Sequence, residues 1–209
     1  NTYDIHCFGS VGKTIDHVRV SIAQDGEIWV KGPNVFKGYY KNIEQTRKVF
    51  TPDGWFKTGD MGEFDEDKFL FLRGRKKYMI LGPGGQNVFP EDLEEVLNRI
   101  KGVKDSAVLG LELPTGGVEI HAVLLLDGKT SDAEKIIEIA NKQLATYQHI
   151  TGWTVWPDKD FPRSATRKVK KEVVRTYLEG KREKGKAAKK VSPLVRLLSQ
   201  ISNMPMKDI

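Results

Sequence analysis

Between residues 11 and 73, apolar and polar side chains alternate in short runs, as in Val18-Arg19-Val20-Ser21-Ile22, Glu27-Ile28-Trp29-Val30 and Phe69-Leu70-Phe71-Leu72. Turn-forming clusters stand between them: Gln24-Asp25-Gly26, Gly32-Pro33-Asn34, Pro52-Asp53-Gly54 and Asp65-Glu66-Asp67. A period of two bounded by such clusters predicts strands, because successive side chains of a strand point to opposite faces. The first third therefore reads as β-rich, with Ile43–Val49 its one helical stretch.

After Gly74 the period lengthens. Pro90 suits a first helical position, acidic Glu91, Asp92, Glu94 and Glu95 follow, and Leu93, Val96, Leu97 and Ile100 recur at helical spacing up to a Gly102 stop. The stretches 103–111 and 118–126 read as two strands joined by the turn 114–117, a geometry open to an antiparallel hairpin. Ser131 and Glu134 form a capping box for a helix with Ala133, Ile136, Ile137, Ala140, Leu144 and Tyr147 on its apolar face. Residues 153–156 read as a third strand. Strand, helix, strand, strand, helix, strand predicts a small α+β layer in which helices cover an antiparallel sheet, with a boundary near 75–78. A short helix over 172–178 then leads to a basic block, and Ser192-Pro193 opens an amphipathic stripe of Leu194, Leu197, Leu198 and Ile201. The predicted organisation is a β-rich part, 1–76, an α+β domain, 77–178, and a basic linker with helical tail, 179–209.

Composition narrows the classes. The 209 residues carry 34 Lys and Arg against 28 Asp and Glu, with 39% hydrophobic residues, which fits packed domains and excludes wholesale disorder. The single Cys7 forms no internal disulfide and points to a reducing, cytoplasmic setting. No run of about 18 apolar residues is present. The basic excess concentrates in 180–190, GKREKGKAAKK, a composition shared by solvated linkers and by segments that bind anionic surfaces. It lacks the interleaved aromatics of a nucleic-acid platform, so nucleic acid is not an expected partner.

Three polar constellations could carry chemistry. In Gly54-Trp55-Phe56-Lys57-Thr58-Gly59-Asp60-Met61-Gly62, glycines bracket Asp60 at what reads as a tight turn, where a carboxylate can accept hydrogen bonds from a vicinal diol. The plainer reading is an Asp that stabilises its own turn. In Gly74-Arg75-Lys76-Lys77-Tyr78, Arg75 offers a planar fork of donors, and Lys77 with the following glycines reads as a flexible joint or as a solvated charge run. In the loop Arg163-Ser164-Ala165-Thr166-Arg167-Lys168, a lysine can deliver a point charge to a phosphate, or the segment is simply a basic surface loop. His6, His17, His121 and His149 are scattered, and no metal-spaced cluster or Ser/His/Asp set competes.

Taken in order, and with Gly26-Glu27-Ile28-Trp29-Val30-Lys31-Gly32-Pro33 upstream, these motifs resemble the C-terminal portion of an acyl-CoA synthetase of the adenylate-forming, AMP-binding superfamily. The resemblance runs from Gly9 to about Tyr177, and DGWFKTGDMGEFDEDKFLFLRGRKK, residues 53–77, is especially similar to fatty acyl-CoA synthetases. It implies a two-step reaction: a carboxylate attacks the α-phosphate of ATP, and CoA then displaces AMP. It also implies that Asp60 and Arg75 hold the ribose, that Leu72 lies near the nucleotide, and that Lys77 is the hinge of a mobile C-terminal lid. Gly84, Gly85 and Gln86 would match the loop brought to the CoA channel, and Lys168 the lysine that stabilises charge during adenylation. ATP, CoA and a carboxylic acid are the implied ligands. Mg2+ is expected for the parent enzyme, but its ligand, like the phosphate-binding loop, precedes the matched segment in this family.

Two positions depart from the pattern: Arg167 replaces a usual Gly, and Leu81 replaces a lysine found in some relatives. The chain alone is expected to be inactive. An aryl-CoA ligase is the alternative within the class. Outside it stands a non-catalytic module that docks peripherally on anionic membrane through the tail.

Overall fold

The computed structural model describes residues 6–82, 84–114, 116–127 and 132–190, with side chains as far as 182. It divides into two compact units, Asn1–Pro157 and Asp158–Ile209.

In the first unit the alternating runs form a four-stranded antiparallel sheet in chain order: β1 (Arg19–Ile22), β2 (Glu27–Lys31), β3 (Phe56–Phe64) and β4 (Leu70–Arg75). The predicted helix is present as α1 (Ile43–Val49), capped by Asn42, whose side chain accepts from the Gln45 amide at 3.0 Å. No α1 residue is buried. Aromatic contacts instead anchor the connection between β2 and β3, with the Phe36 ring 5.1 Å from Phe56 and 5.5 Å from Phe50.

A 3-10 turn over Lys76–Tyr78 follows β4, then the short antiparallel pair β5 (Ile80–Leu81) and β6 (Asn87–Val88). The predicted Pro-led helix is α2 (Pro90–Asn98). Its fully buried Leu93 and Leu97, with Val96 and Ile100 beside them, join a core shared with β7 (Val103–Glu112), β8 (Val118–Leu126) and α3 (Ala133–Asn141). Burying each such leucine is worth roughly 1.5–3 kcal/mol, which is why the helical spacing of apolar residues decides this layer.

Three details differ from the expected layer. The hairpin β7–β8 is antiparallel, but β9 (Gly152–Val155) runs parallel to β8, so the three-stranded sheet β7-β8-β9 is mixed. The intervening α3 supplies the crossover that a parallel pair requires. Second, α3 stops at Asn141, short of Leu144 and Tyr147. The Asn141 amide binds the Ile150 backbone in both directions, at 3.0 and 2.9 Å, and so turns the chain toward β9. The capping Ser131 lies outside the described residues.

Third, the helix expected over 172–178 is longer. In the second unit α4 spans Lys171–Lys190 and takes in the basic block, whose Lys, Glu, Arg and Ala residues favour helix despite Gly180 and Gly185. The stripe 194–201 with its Ser192-Pro193 start lies outside the described residues. Among the described residues no helix is long and apolar enough to cross a membrane.

The β8–β9 seam carries a polar pair, a buried His121 and a partly buried Glu119. His121 is hydrogen bonded through Nδ1 to Glu119 at 2.5 Å and through Nε2 to the Thr154 hydroxyl at 3.0 Å. Gly152 lies directly against this pair, and a Cβ there would collide with both the Glu119 carboxylate and the His121 ring. The pair is thus why a glycine opens β9.

Candidate functional site

Asp60 does not sit on a tight turn. It lies inside β3, at a bulge where Thr58, Gly59 and Asp60 all fall opposite the single residue Ile28, between the pairs Glu27–Met61 and Trp29–Lys57. Gly59 adopts φ 71, the left-handed conformation that glycine reaches without steric cost. The bulge is held by polar contacts: the Thr58 hydroxyl donates to Ile28 O at 2.7 Å, and the Asp60 amide donates to that hydroxyl at 3.0 Å.

The registry of β3 and β4 places Asp60 directly across from Arg75. Arg75 Nε meets Asp60 Oδ1 at 2.9 Å, and Arg75 Nη1 donates to Thr58 O at 3.0 Å. The guanidinium therefore spans the bulge and fixes one carboxylate oxygen. Leu72 is on the same strand as Arg75, opposite Gly62, and more than half exposed.

Behind this pair lies a residue that spacing did not reveal. Glu27 is only 5% exposed, yet its carboxylate is saturated by donors. Oε1 accepts the Gly59 amide at 3.0 Å, while Oε2 accepts Lys76 Nζ at 2.9 Å and the Trp29 indole at 3.3 Å. Lys76 also reaches Asp25 Oδ2 at 2.6 Å, and Asp25 Oδ1 accepts the Glu27 amide at 3.1 Å. Burial alone would push the Glu27 carboxyl up, but the bonds from Lys76, Trp29 and Gly59 outweigh it and hold the group below its ordinary value. Asp25 is lowered chiefly by Lys76, and Lys76 is raised chiefly by Asp25 and then by Glu27. A cleft of about 330 Å3 opens beside the bulge, lined by Lys48, Lys57, Thr58, Gly59, Glu27 and Lys76. Asp25 and Glu27 stand some fifty positions before Lys76, and only strand pairing brings them together.

Lys77 lies in the 3-10 turn that leaves β4, its ammonium 4.4 Å from the Tyr78 ring centre. The loop between β5 and β6 is a closed turn: the Gly82 amide donates to Gln86 O at 2.8 Å and the Gly85 amide to Gly82 O at 2.9 Å. Gly85 takes φ 79, and the Gln86 side chain folds over Gly84, where an added Cβ would lie 2.6 Å from its amide atoms. Leu81, at the departure from the family pattern, is 59% exposed.

Lys168 belongs to the second unit, on one arm of a braced turn. Its amide donates to Ser164 Oγ at 3.1 Å and its carbonyl accepts the Ser164 amide at 2.8 Å. The Arg163 guanidinium braces the same turn, bonding Asp160 Oδ1 at 2.8 Å through one amino group and Arg167 O at 3.1 Å through the other. The Lys168 side chain is exposed. Arg167 stands at φ 63, which explains why glycine suits this position. Replacing Arg167 with Gly should raise stability by about 0.5–1 kcal/mol, the relief of roughly 1–2 kcal/mol of left-handed strain less the entropy glycine loses on folding. Urea titration checks it. Unchanged or lower stability of the variant would mean that the Arg167 side chain makes a compensating contact.

Among the described residues, no group of three or more His, Cys, Asp or Glu could hold a metal ion.

No protein-family profile matches the chain. It is 35% identical over 184 residues to the indoleacetate–CoA ligase of Aromatoleum aromaticum, covering 83% of this chain and 35% of that protein. Over 112 residues it is 46% identical to the long-chain-fatty-acid–CoA ligase FadD15 of Mycobacterium tuberculosis, covering 54% of this chain and 18% of the relative. Among solved structures, the o-succinylbenzoate CoA synthetase MenE of Bacillus subtilis in complex with its acyl-adenylate intermediate superposes with a TM-score of 0.68 at 33% identity. The match covers 77% of this chain and 34% of that one. The same enzyme with ATP and magnesium ion gives 0.67 at 33% identity, over the same shares. The chain thus spans about a third of the length of the first of these relatives.

Proposed function

Because the chain belongs to the adenylate-forming acyl- and aryl-CoA ligases, as the relatives' sequences and folds place it, we propose that it is the C-terminal portion of an ATP-dependent acid–thiol ligase. In the reaction we assign to the whole protein, a carboxylate oxygen attacks the α-phosphorus of ATP and pyrophosphate leaves. The CoA thiol then attacks the acyl carbon, AMP leaves, and the thiol proton passes to solvent. The observation that supports this most directly is the Asp60–Arg75 pair, 2.9 Å apart on a bulge fixed by four further hydrogen bonds.

In this reading Asp60 accepts from the ribose hydroxyls with the oxygen that Arg75 does not fill, and Arg75 adds its own donors from the neighbouring strand. Leu72 supplies an exposed apolar contact for the nucleotide. Lys168 places a cation on the charge that builds during adenylation, and the loop of Gly84, Gly85 and Gln86 serves the thioester step. The two steps need different neighbours at one centre, and a domain swinging about Lys77, with residues 1–76 as its base, supplies each in turn. The magnesium ion used by such chemistry finds no carboxylate cluster among the described residues, and no step here runs through it.

The acid is proposed to be fatty, on the 46% identity over 112 residues to a long-chain ligase; the aryl reading draws on the indoleacetate and o-succinylbenzoate enzymes. Incubation of the intact protein with ATP, CoA and a panel of palmitate, decanoate, indoleacetate and 2-succinylbenzoate tests both levels. AMP, pyrophosphate and a CoA thioester are the expected products, with the fatty acids preferred. Release of ADP, or no thioester with any acid, would overturn the assignment. The 209-residue chain alone should show no ATP–pyrophosphate exchange, because it spans only about a third of the ligases it matches.

A further inference from the structure

We propose that Lys76 is a positioning residue, whose double ion pair to Asp25 and Glu27 locks the bulge presenting Asp60 and fixes the end of β4 just before the Lys77 joint. The inference rests on the reading of Asp60 and Arg75 as the ribose-holding pair.

The geometry carries it in three steps. Glu27 is the keystone of the bulge: one oxygen holds the Gly59 amide at 3.0 Å, and Gly59 sits in the left-handed conformation immediately before Asp60. Glu27 is also buried, and a buried carboxylate is costly to keep charged without a cation or a full set of donors. Lys76 supplies that cation at 2.9 Å, from a half-exposed side chain to a Glu27 side chain only 7% exposed, so the carboxylate end of the pair is shielded from water. Second, Lys76 is the residue between Arg75 and Lys77, and thus between the guanidinium that grips Asp60 and the joint. Third, its other bond, to Asp25 Oδ2 at 2.6 Å, ties it to the β1–β2 turn. That turn is itself tied to β3 just past the bulge, where the Gly62 amide donates to Gly26 O at 3.1 Å, and is closed by the Glu27 amide donating to Asp25 Oδ1.

One ammonium thus joins the β1–β2 turn, the bulge in β3 and the last residue before the joint. A torsional change at Lys77 would otherwise pull on Arg75 and, through it, on Asp60. With Lys76 clamped, that motion ends one residue away from the nucleotide contacts.

The test uses the 209-residue chain and two variants, Lys76→Met, which keeps the stem and removes the charge, and Lys76→Arg, which keeps a donor pair. Amide hydrogen exchange is read at Gly59 and Asp60, with Val108 and Ala122 of the second sheet as internal references. In Lys76→Met, exchange at Gly59 should quicken about tenfold or more, as expected for losing a charge-assisted bond, while the reference amides stay unchanged. Lys76→Arg should restore protection to within about threefold of the parent, a charged planar donor being able to bridge two carboxylates. Unchanged exchange at Gly59, or an equal acceleration at Val108 and Ala122, would overturn the proposal, the latter by showing general destabilisation only. Asp25→Asn is the milder second variant: it should quicken exchange at Gly59 to a smaller degree, and no change there would count against the clamp.

A second arm uses the intact enzyme. Lys76→Met should raise the KM for ATP about tenfold with kcat within about twofold, and Lys76→Arg should recover it. A loss confined to kcat would overturn the positioning role. If the parent enzyme forms no acyl-adenylate at all, the functional reading fails, while the exchange arm still decides whether Lys76 holds the bulge.

Discussion

Replacing Lys168 with Ala in the intact enzyme is expected to slow acyl-adenylate formation about 100- to 1,000-fold, the loss of roughly 2.7–4 kcal/mol that follows removal of one preorganised charge-stabilising donor. The turn carrying Lys168 is braced through backbone atoms and Arg163, not through the lysine's own ammonium, so the substitution should leave the turn in place. Thioester formation from a supplied acyl-adenylate should proceed at close to the parent rate, because the charge met by the lysine has by then left with pyrophosphate. Single-turnover assays of the two half-reactions separate these outcomes. Equal loss in both would reject the role assigned to Lys168.

Asp60→Ala should behave differently. In the proposed reaction the ribose stays bound through both half-reactions, so both should weaken together. Hydrogen bonds to a charged acceptor are worth about 1.5–3 kcal/mol each, and loss of the carboxylate is expected to weaken AMP and ATP binding about 10- to 100-fold. Arg75 retains its bond to Thr58 O, so the strand pair itself should hold. Calorimetric titration of the intact enzyme with AMP measures the effect directly, and affinity within twofold of the parent would remove Asp60 from the nucleotide site.

The contrast between these residues also marks what could be read from the chain. Elements governed by local periodicity were legible: α1 is bounded as expected, and α2 follows from Pro90 and the spacing of Leu93 and Leu97. Features that depend on partners distant in sequence were not. Nothing in the spelling of β9 says that it lies parallel to β8, since orientation is set by the crossover and not by alternation. The end of α3 at Asn141 depends on a backbone nine positions further on.

The candidate site divides along the same line. Asp60, Arg75 and Lys168 lie in motifs whose residue types advertise their chemistry. Glu27 and Lys76 lie in quoted stretches too, but nothing in the spelling pairs one with the other. An acidic residue opening an alternating strand looks like the solvent-facing member of the pattern, yet Glu27 is buried with its carboxylate accepting from Gly59, Lys76 and Trp29. The bulge in β3 explains why Asp60 read as part of a turn: the glycines around it are there to distort a strand, not to reverse the chain. One hint was available for Arg167, where replacement of an expected glycine marks a backbone conformation that side chains resist.

The parallel seating of β9 also bears on the order in which the second sheet assembles. β7 and β8 meet across a short turn, so their pairing closes a small loop and is available as soon as both have been synthesised. β9 must wait for residues 127–151 and for α3 to carry the chain back along the sheet, which makes its docking the non-local, slower event. Until then one edge of β8 presents unpaired amides and carbonyls, and a nascent chain halted there would be open to strand addition by another molecule.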